Sequence, residues 1–259
     1  MKIGKSTQPQ TAISTSDAER IVVRGRDLCG ELVGHMSFTG YFFLLLTGRE
    51  QDAASRAVLD ACLIAIAEHG FVPSVQAARM TLAAAPDAMQ GAVAAGILGC
   101  GSVILGASET AGRLLDGVLR AVEAGTGMDD AVDAALRGLQ ESNQTVPGYG
   151  HPQHKERDPR VERLYEVARE AGADMRYVSI AEAIERRLPE RLGKPLKMNV
   201  SVAIPAVLLG VGFPVAALKG VPILARTAGL IAHLHEELMQ PSGFALSYQA
   251  SRAVVYRGE

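Results

Sequence analysis

Apolar positions along this chain recur at helical rather than alternating spacing. Val58, Leu59, Cys62, Leu63 and Ile66 make one stripe that stops at Gly70. Val161, Leu164, Tyr165 and Ala168 make another, closed by Gly172. Ile223, Thr227, Leu230, Ile231, Leu234 and Leu238 share one side of a helix that begins near Pro222 and ends before Pro241. Ser179 and Glu182 read as a capping box ahead of Ile180, Ile184 and Leu188. Strand-like alternation is scarce, and no internal repeat or low-complexity linker interrupts the pattern. The expected fold class is all-α.

Two apolar stretches, 91–108 and 198–218, approach bilayer-spanning length. The first is mostly glycine and alanine, and the second is broken by Pro205, Gly210, Gly212 and Pro214. Neither has aromatic flanks, so both read as buried helices rather than membrane spans. The first 20 residues lack the apolar region of a secretory signal and read as a polar arm, so a cytoplasmic protein is expected.

At 259 residues and 48% hydrophobic content, the chain can form one large domain or two lobes. Its net charge of −2 contains no block of like charges, so nothing in it draws nucleic acid or an anionic membrane. An anionic ligand has to be caught locally, by placed residues. Cys29, Cys62 and Cys100 are odd in number, far apart and set in apolar surroundings; they read as buried thiols.

The longest expected break in helix is 141–158, ESNQTVPGYGHPQHKERD. A loop of this length in a helical protein is usually functional. Pro147, Gly148 and Gly150 force a tight turn that lets a ligand approach the backbone closely. His151 follows, and Asp158 and Pro159 read as the cap and first residue of the next helix. Arg160 then sits in the first turn, where cation and helix start together favour a carboxylate or phosphate. For Asp158 and Pro159 a plain helix-starting role suffices, whereas His151 beside the glycine turn reads as functional. His154 gives an HxxH pair without a third ligand, and His233 and His235 lie two apart, off one helical face. His35 reads as a loop or core residue. No metal site is expected.

The segment VPGYGHPQHKERDPR resembles the active-site signature of the citrate synthase superfamily, and its HPxHK form is most similar to citryl-CoA lyase-like members. Residues 24–49 resemble the family's Arg-Gly-x-Asp-Leu segment, AEHGFVPSVQAAR its segment with a substrate-binding histidine, and ARTAGLIAHLHEE its helix with a second carboxylate-binding arginine. The resemblance covers residues 24–243. It implies a citrate synthase-like homodimer. Its large helical domain comprises 1–106 and 207–259, and 107–206 form a smaller helical lid that closes over the substrate.

By this resemblance the protein joins or cleaves a carbon–carbon bond between an acyl-CoA and an oxo-acid such as oxaloacetate. Coenzyme A thioester is then a cosubstrate, with no tightly bound cofactor, and the partner ligand is a small di- or tricarboxylate. His151 polarises oxygen at the reacting carbon, and His69, Arg160 and Arg226 hold carboxylates. Val146, Pro147, Gly148, Tyr149 and Gly150, with Lys194, Lys197 and Asn199, line the CoA groove; either lysine is equally readable as a solvated charge.

Two positions depart from the family pattern. Leu105 stands where many members have a histidine, and lyase-like members often lack that histidine too. Ser201 stands where the family's catalytic carboxylate is expected in an Asn-Val-Asp motif. A serine hydroxyl without an activating partner is too weak a base to replace a general base worth about 10²–10⁴-fold. Either the chemistry is altered, with Glu109 one candidate substitute, or the chain is a weakened paralogue that senses CoA or a polycarboxylate. The family's basic C-terminal segment reads Gln240-Pro241-Ser242 here, leaving Arg252 and Arg257 as candidates for its charge.

Overall fold

A computed structural model describes residues 9–101, 105–150, 157–193 and 195–258. The described residues begin with three short antiparallel strands, β1 (Ser14–Ser16), which falls within the expected polar arm, β2 (Ile21–Val23) and β3 (Arg26–Asp27), which the helical periodicity gave no sign of. Helices follow: α1 (Phe38–Thr47), α2 (Ala53–Ala67), α3 (Pro73–Ala84), α4 (Met89–Leu98), α5 (Ala107–Glu123) and α6 (Met128–Glu141). Beyond the 141–158 break come α7 (Pro159–Glu170), α8 (Arg176–Leu192), α9 (Val200–Gly210), α10 (Gly220–Met239) and α11 (Gly243–Ala253).

Helix α9 is apolar all round and is buried among α2, α5, α7 and α8. Pro205 sits inside it without breaking it, and packs near Gly112 of α5. The stretch 198–218 is therefore a buried helix followed by a turn. The stretch 91–108 is not one helix: α4 ends at Leu98, which is 81% exposed, and the chain passes Gly99 and Gly101 before α5 begins. The glycines end the helix that composition alone would have continued.

The stripe on α2 is confirmed at Val58, Leu59, Cys62 and Ile66, and Asp52 caps the helix by accepting the Ser55 N–H at 2.7 Å. Three expectations need correction. Helix α8 starts at Arg176, three residues before the expected cap, and Asp174 accepts the Arg176 N–H at 2.9 Å. Ser179 is thus inside the helix, with its hydroxyl turned back to the Met175 carbonyl. Cys29 is exposed on the short helical turn Leu28–Leu32, while Cys62 and Cys100 are buried; all three are free.

On α10 the inward face is Val221, Pro222, Ala225, Gly229, Leu230, Leu234 and Glu237, leaving Ile223, Ile231 and Leu238 exposed. Small residues decide this rotation. A side chain at Gly229 would collide with the Ala67 carbonyl, so only glycine allows α10 to cross the end of α2 this closely. The crossing is reinforced from α3. Buried Arg79 pairs with Glu236 and with Glu237 at 3.2 Å, bonds the Ser242 hydroxyl at 3.1 Å and lies over the Phe71 ring. His233, one helical face along from Arg226, has its Nε2 2.9 Å from Glu68 Oε2. By length and composition the run Val215–Met239 could cross a membrane, but α10 packs against α2, α3 and α4.

Candidate active site

The turn before the 151–156 segment is pinned to the start of α9. Gly150 donates its N–H to the Lys197 carbonyl at 2.7 Å, and Asn199 donates its own to the Gly148 carbonyl at 2.9 Å. Asn199 Nδ2 adds a bond to the Gly150 carbonyl at 2.8 Å, while its Oδ1 caps α9 through the Ser201 N–H at 2.9 Å. Gly148 has φ +84°, and a Cβ there would lie 2.5 Å from Val202 Cβ. Both its backbone angle and its contact with α9 require glycine. The buried Tyr149 hydroxyl donates to the Ala181 carbonyl at 2.7 Å, tying the turn to α8. Burial pushes its phenol well above the ordinary range.

Asp158 caps α7 by accepting the Arg160 N–H at 3.0 Å, and it also grips the Arg160 side chain. Arg160 Nε lies 3.0 Å from Asp158 Oδ1 and Nη2 lies 2.7 Å from Oδ2, while Nη1 donates to the Ala65 carbonyl at 3.2 Å. The same carboxylate accepts the Val200 N–H at 3.4 Å. Burial works against the charge of Asp158, yet the Arg160 bonds outweigh it and hold the carboxyl below the usual range. Arg160 is thereby held before any ligand arrives.

A cavity of about 720 Å³ opens between these parts. Four helices begin at its wall, and each contributes its second residue to the lining: Ser74 of α3, Ser108 of α5, Arg160 of α7 and Ser201 of α9. At α7 and α9 the first N–H groups are already taken by Asp158 and Asn199, whereas α3 and α5 start without a side-chain cap and keep their partial positive charge facing the space, which favours an anion. Arg226 faces the same space. It makes no hydrogen bond or ion pair to a described residue, and burial, with Arg160 also near, lowers its pKa. His69 lines the cavity just beyond α2, where Glu68 Oε1 accepts the His69 and Gly70 N–H groups at 2.8 and 2.6 Å. No carboxylate is found among the described residues of the lining.

Comparison with known proteins decides the family. The citrate synthase, C-terminal domain family matches residues 22–243. The chain belongs to the citrate synthase family. Its likeness lies on the citryl-CoA lyase side: it is 32% identical to citryl-CoA lyase from Hydrogenobacter thermophilus, with a TM-score of 0.83 over 96% of this chain and 94% of that one. It shares a fold with ATP citrate lyase from Methanothrix soehngenii, solved with citrate and coenzyme A, at 22% identity and a TM-score of 0.75, covering 99% of this chain and 43% of that one. Citrate synthase from Synechocystis sp. is 28% identical over 78% of this chain and 50% of its own length. The chain spans about half the length of the curated relatives it matches.

Within this citrate synthase-family fold, one cavity gathers most residues singled out in the sequence: His69, Val146, Pro147, Gly148, Tyr149, Gly150, Arg160, Asn199, Ser201 and Arg226. His151 and Lys194 lie outside the described residues. Lys197 is exposed and not part of the lining; its contribution is the carbonyl that anchors Gly150. Glu109 is not a substitute base here, since its carboxylate turns to Arg113 at 2.8 Å on its own helix and does not line the cavity. Leu105 does line it, as an apolar wall where many family members have a histidine. Arg252 lies over the Tyr248 ring of α11, and neither Arg252 nor Arg257 is part of this chain's cavity lining.

Sequence reasoning missed Ser74, Ser108 and the second role of Asp158. A cap residue two positions before an arginine was a usable sign for Asp158. Nothing in the sequence brings Ser74 and Ser108 together.

Proposed function

We propose that this protein cleaves or forms a carbon–carbon bond between an acyl-CoA, with acetyl-CoA the first candidate, and an oxo-acid such as oxaloacetate. Cleavage of a citryl-CoA-type thioester is the leading reaction. The observation that carries this reading is the pairing of Arg226, unpartnered among the described residues, with a pre-held Arg160 in one cavity walled by the glycine turn. Such a pair binds carboxylates and fixes their orientation. The backbone at Val146–Gly150 offers the thioester a close approach, and coenzyme A acts as cosubstrate rather than resident cofactor.

In the cleavage direction the substrate hydroxyl loses its proton and its oxygen becomes the carbonyl of the oxo-acid. The carbon–carbon bond breaks, its electrons pass to the thioester enolate, and the enolate carbon takes a proton. His69 and His151 are the proposed groups at the oxygen. Ser201 supplies neither a base for enolate formation nor the matching acid for enolate protonation, so in either direction that proton has to move through another group or water. The active form is a homodimer in which 107–206 close over a site shared with 1–106 and 207–259.

A second reading, a CoA- or polycarboxylate-binding sensor or partner subunit, draws on the lack of a carboxylate among the described lining residues. Purified protein supplied with citryl-CoA, and separately with acetyl-CoA plus several oxo-acids, distinguishes the two. Release of acetyl-CoA and oxo-acid supports the lyase. Saturable binding of these ligands with no turnover of any of them supports the sensor.

A further inference from the structure

The turn that carries His69 is fastened on both sides of that residue. Glu68 ends α2 and folds its carboxylate back, so that Oε1 accepts the His69 and Gly70 N–H groups at 2.8 and 2.6 Å. Gly70 has φ +74°, and its carbonyl accepts the Val72 N–H at 2.8 Å. Phe71 is held from α3 and α10: Arg79 lies 5.0 Å from its ring centre, and the His233 ring meets it edge-on.

The second carboxylate oxygen of Glu68 faces α10. It lies 2.9 Å from His233 Nε2, and a Cβ on Gly229 would come within 3.3 Å of it. Arg226, Gly229 and His233 follow one another along one side of that helix, so Glu68 lies on the line that carries the cavity arginine. An arginine can only donate, so the 3.3 Å contact of Arg79 Nη2 with His233 Nδ1 makes Nδ1 the acceptor and puts the ring proton on Nε2, toward Glu68. Arg79 is 3% exposed and is anchored in turn by Glu236, Glu237 and Ser242. A brace thus runs from buried Arg79 through His233 to Glu68 and ends on the backbone of His69.

A carboxylate at the C-terminal end of a helix opposes the helix dipole. Burial also works against the charge of Glu68, yet His233 and the two N–H groups outweigh it and hold the carboxyl below its usual range. Glu68 is not part of the cavity lining, whereas His69 is.

We propose that Glu68 is a positioning residue for His69: it fixes the backbone from which the imidazole meets a ligand carboxylate, and His233 braces it from the helix of Arg226. This rests on the reading of His69 as a carboxylate-binding group given above. Glu68 itself touches no ligand and moves no proton.

A double-mutant cycle on the full chain, read by titration calorimetry with oxaloacetate, tests it. His69→Ala should weaken oxaloacetate binding about 10-fold or more, the loss of a charge-assisted hydrogen bond. Glu68→Ala should weaken it about 3- to 12-fold and add nothing in the His69→Ala background. Glu68→Gln keeps an oxygen for the two N–H groups and should restore most of the loss. His233→Phe keeps a ring against Phe71 but removes the N–H toward Glu68. It should weaken binding by less than Glu68→Ala and have no further effect in the Glu68→Ala background. Melting curves identify a variant that fails to fold; if Glu68→Ala does, His233→Phe takes its place in the cycle with His69→Ala.

The charge of Glu68 also reaches Arg226. If that charge were its whole effect, Glu68→Ala and Glu68→Gln would tighten oxaloacetate binding equally, which overturns the positioning role. Losses that add to that of His69→Ala overturn it too, as does a Glu68→Ala variant that binds like wild type while His69→Ala binds weakly. If wild type binds no oxaloacetate, or His69→Ala binds it as tightly as wild type, the carboxylate reading falls and the positioning role falls with it.

Discussion

Asp158 and Arg160 form a clamp that spans only two residues and serves three elements. The carboxylate caps α7, holds the guanidinium through Nε and Nη2, and accepts the N–H at the start of α9. Asp158 is 1% exposed, so its charge depends on these donors. Asp158→Asn should keep a weakened cap and lose the charged bonds, lowering stability at neutral pH by about 1.5–3 kcal/mol.

The pH dependence of that loss follows from the lowered pKa of Asp158. A carboxyl depressed in the folded state adds stability above its unfolded value of about 3.9, and this is lost as pH falls through the lower folded value. Denaturant midpoints of wild type and Asp158→Asn should therefore be furthest apart near pH 7. They should converge well below pH 4. A gap that persists at pH 2 would mean the carboxylate charge is not what stabilises the clamp.

Arg226 carries the opposite balance. Its partial burial, with no hydrogen bond or ion pair to a described residue and only a weaker opposing pull from Cys100 and Glu68, costs stability that a ligand repays. Arg226→Met should raise the melting temperature of the ligand-free protein. The same variant should weaken carboxylate binding about 10- to 150-fold, the value of a lost charge-assisted hydrogen bond. A lower melting temperature without ligand would contradict this placement.

Gly148→Ala tests the turn. A methyl group there meets Val202 and also demands a positive φ that alanine avoids. The cost should be about 2–4 kcal/mol, read by chemical denaturation. Binding of CoA thioesters should fall more than binding of free carboxylates, because the turn borders the acyl-CoA end of the proposed site.

Ser201→Asp tests the missing base. If the surrounding architecture is intact, the variant should gain condensation of acetyl-CoA with an oxo-acid, measured as free thiol released. The expected gain is about 10²–10⁴-fold over the wild-type rate, the range for a positioned general base. No gain in a folded variant would show that another feature of the cavity also blocks that chemistry.

Local signals carried the reading of the sequence where one short segment holds its own geometry. The Gly148–Gly150 turn, the Asp158 cap and Arg160 all fall within thirteen residues, so spacing and residue type were enough to mark them. His69 and Arg226 were legible through longer segment likeness. Ser74 and Ser108 were not: a serine near a helix start is common, and only the packing of α3 and α5 brings these two to one wall. The face of α10 was misjudged because Ile223 and Ile231 are apolar, while the approach of α2 is set by the absence of a side chain at Gly229. Ser179 has no cap role because α8 begins three residues earlier, at Arg176, where Asp174 accepts the N–H.

That crossing at Gly229 couples two ends of the chain. Ala67, against which Gly229 rests, lies two residues before His69, and Gly229 lies three residues after Arg226. Backbone contact, with no side chain to repack, sets the distance between the two ligand-facing groups. Substitutions elsewhere can change what each group touches, but they have little means of widening or narrowing the jaw. A ligand of different length has to be accommodated at the serine side or along the glycine turn, and variation in substrate size among related chains is expected there.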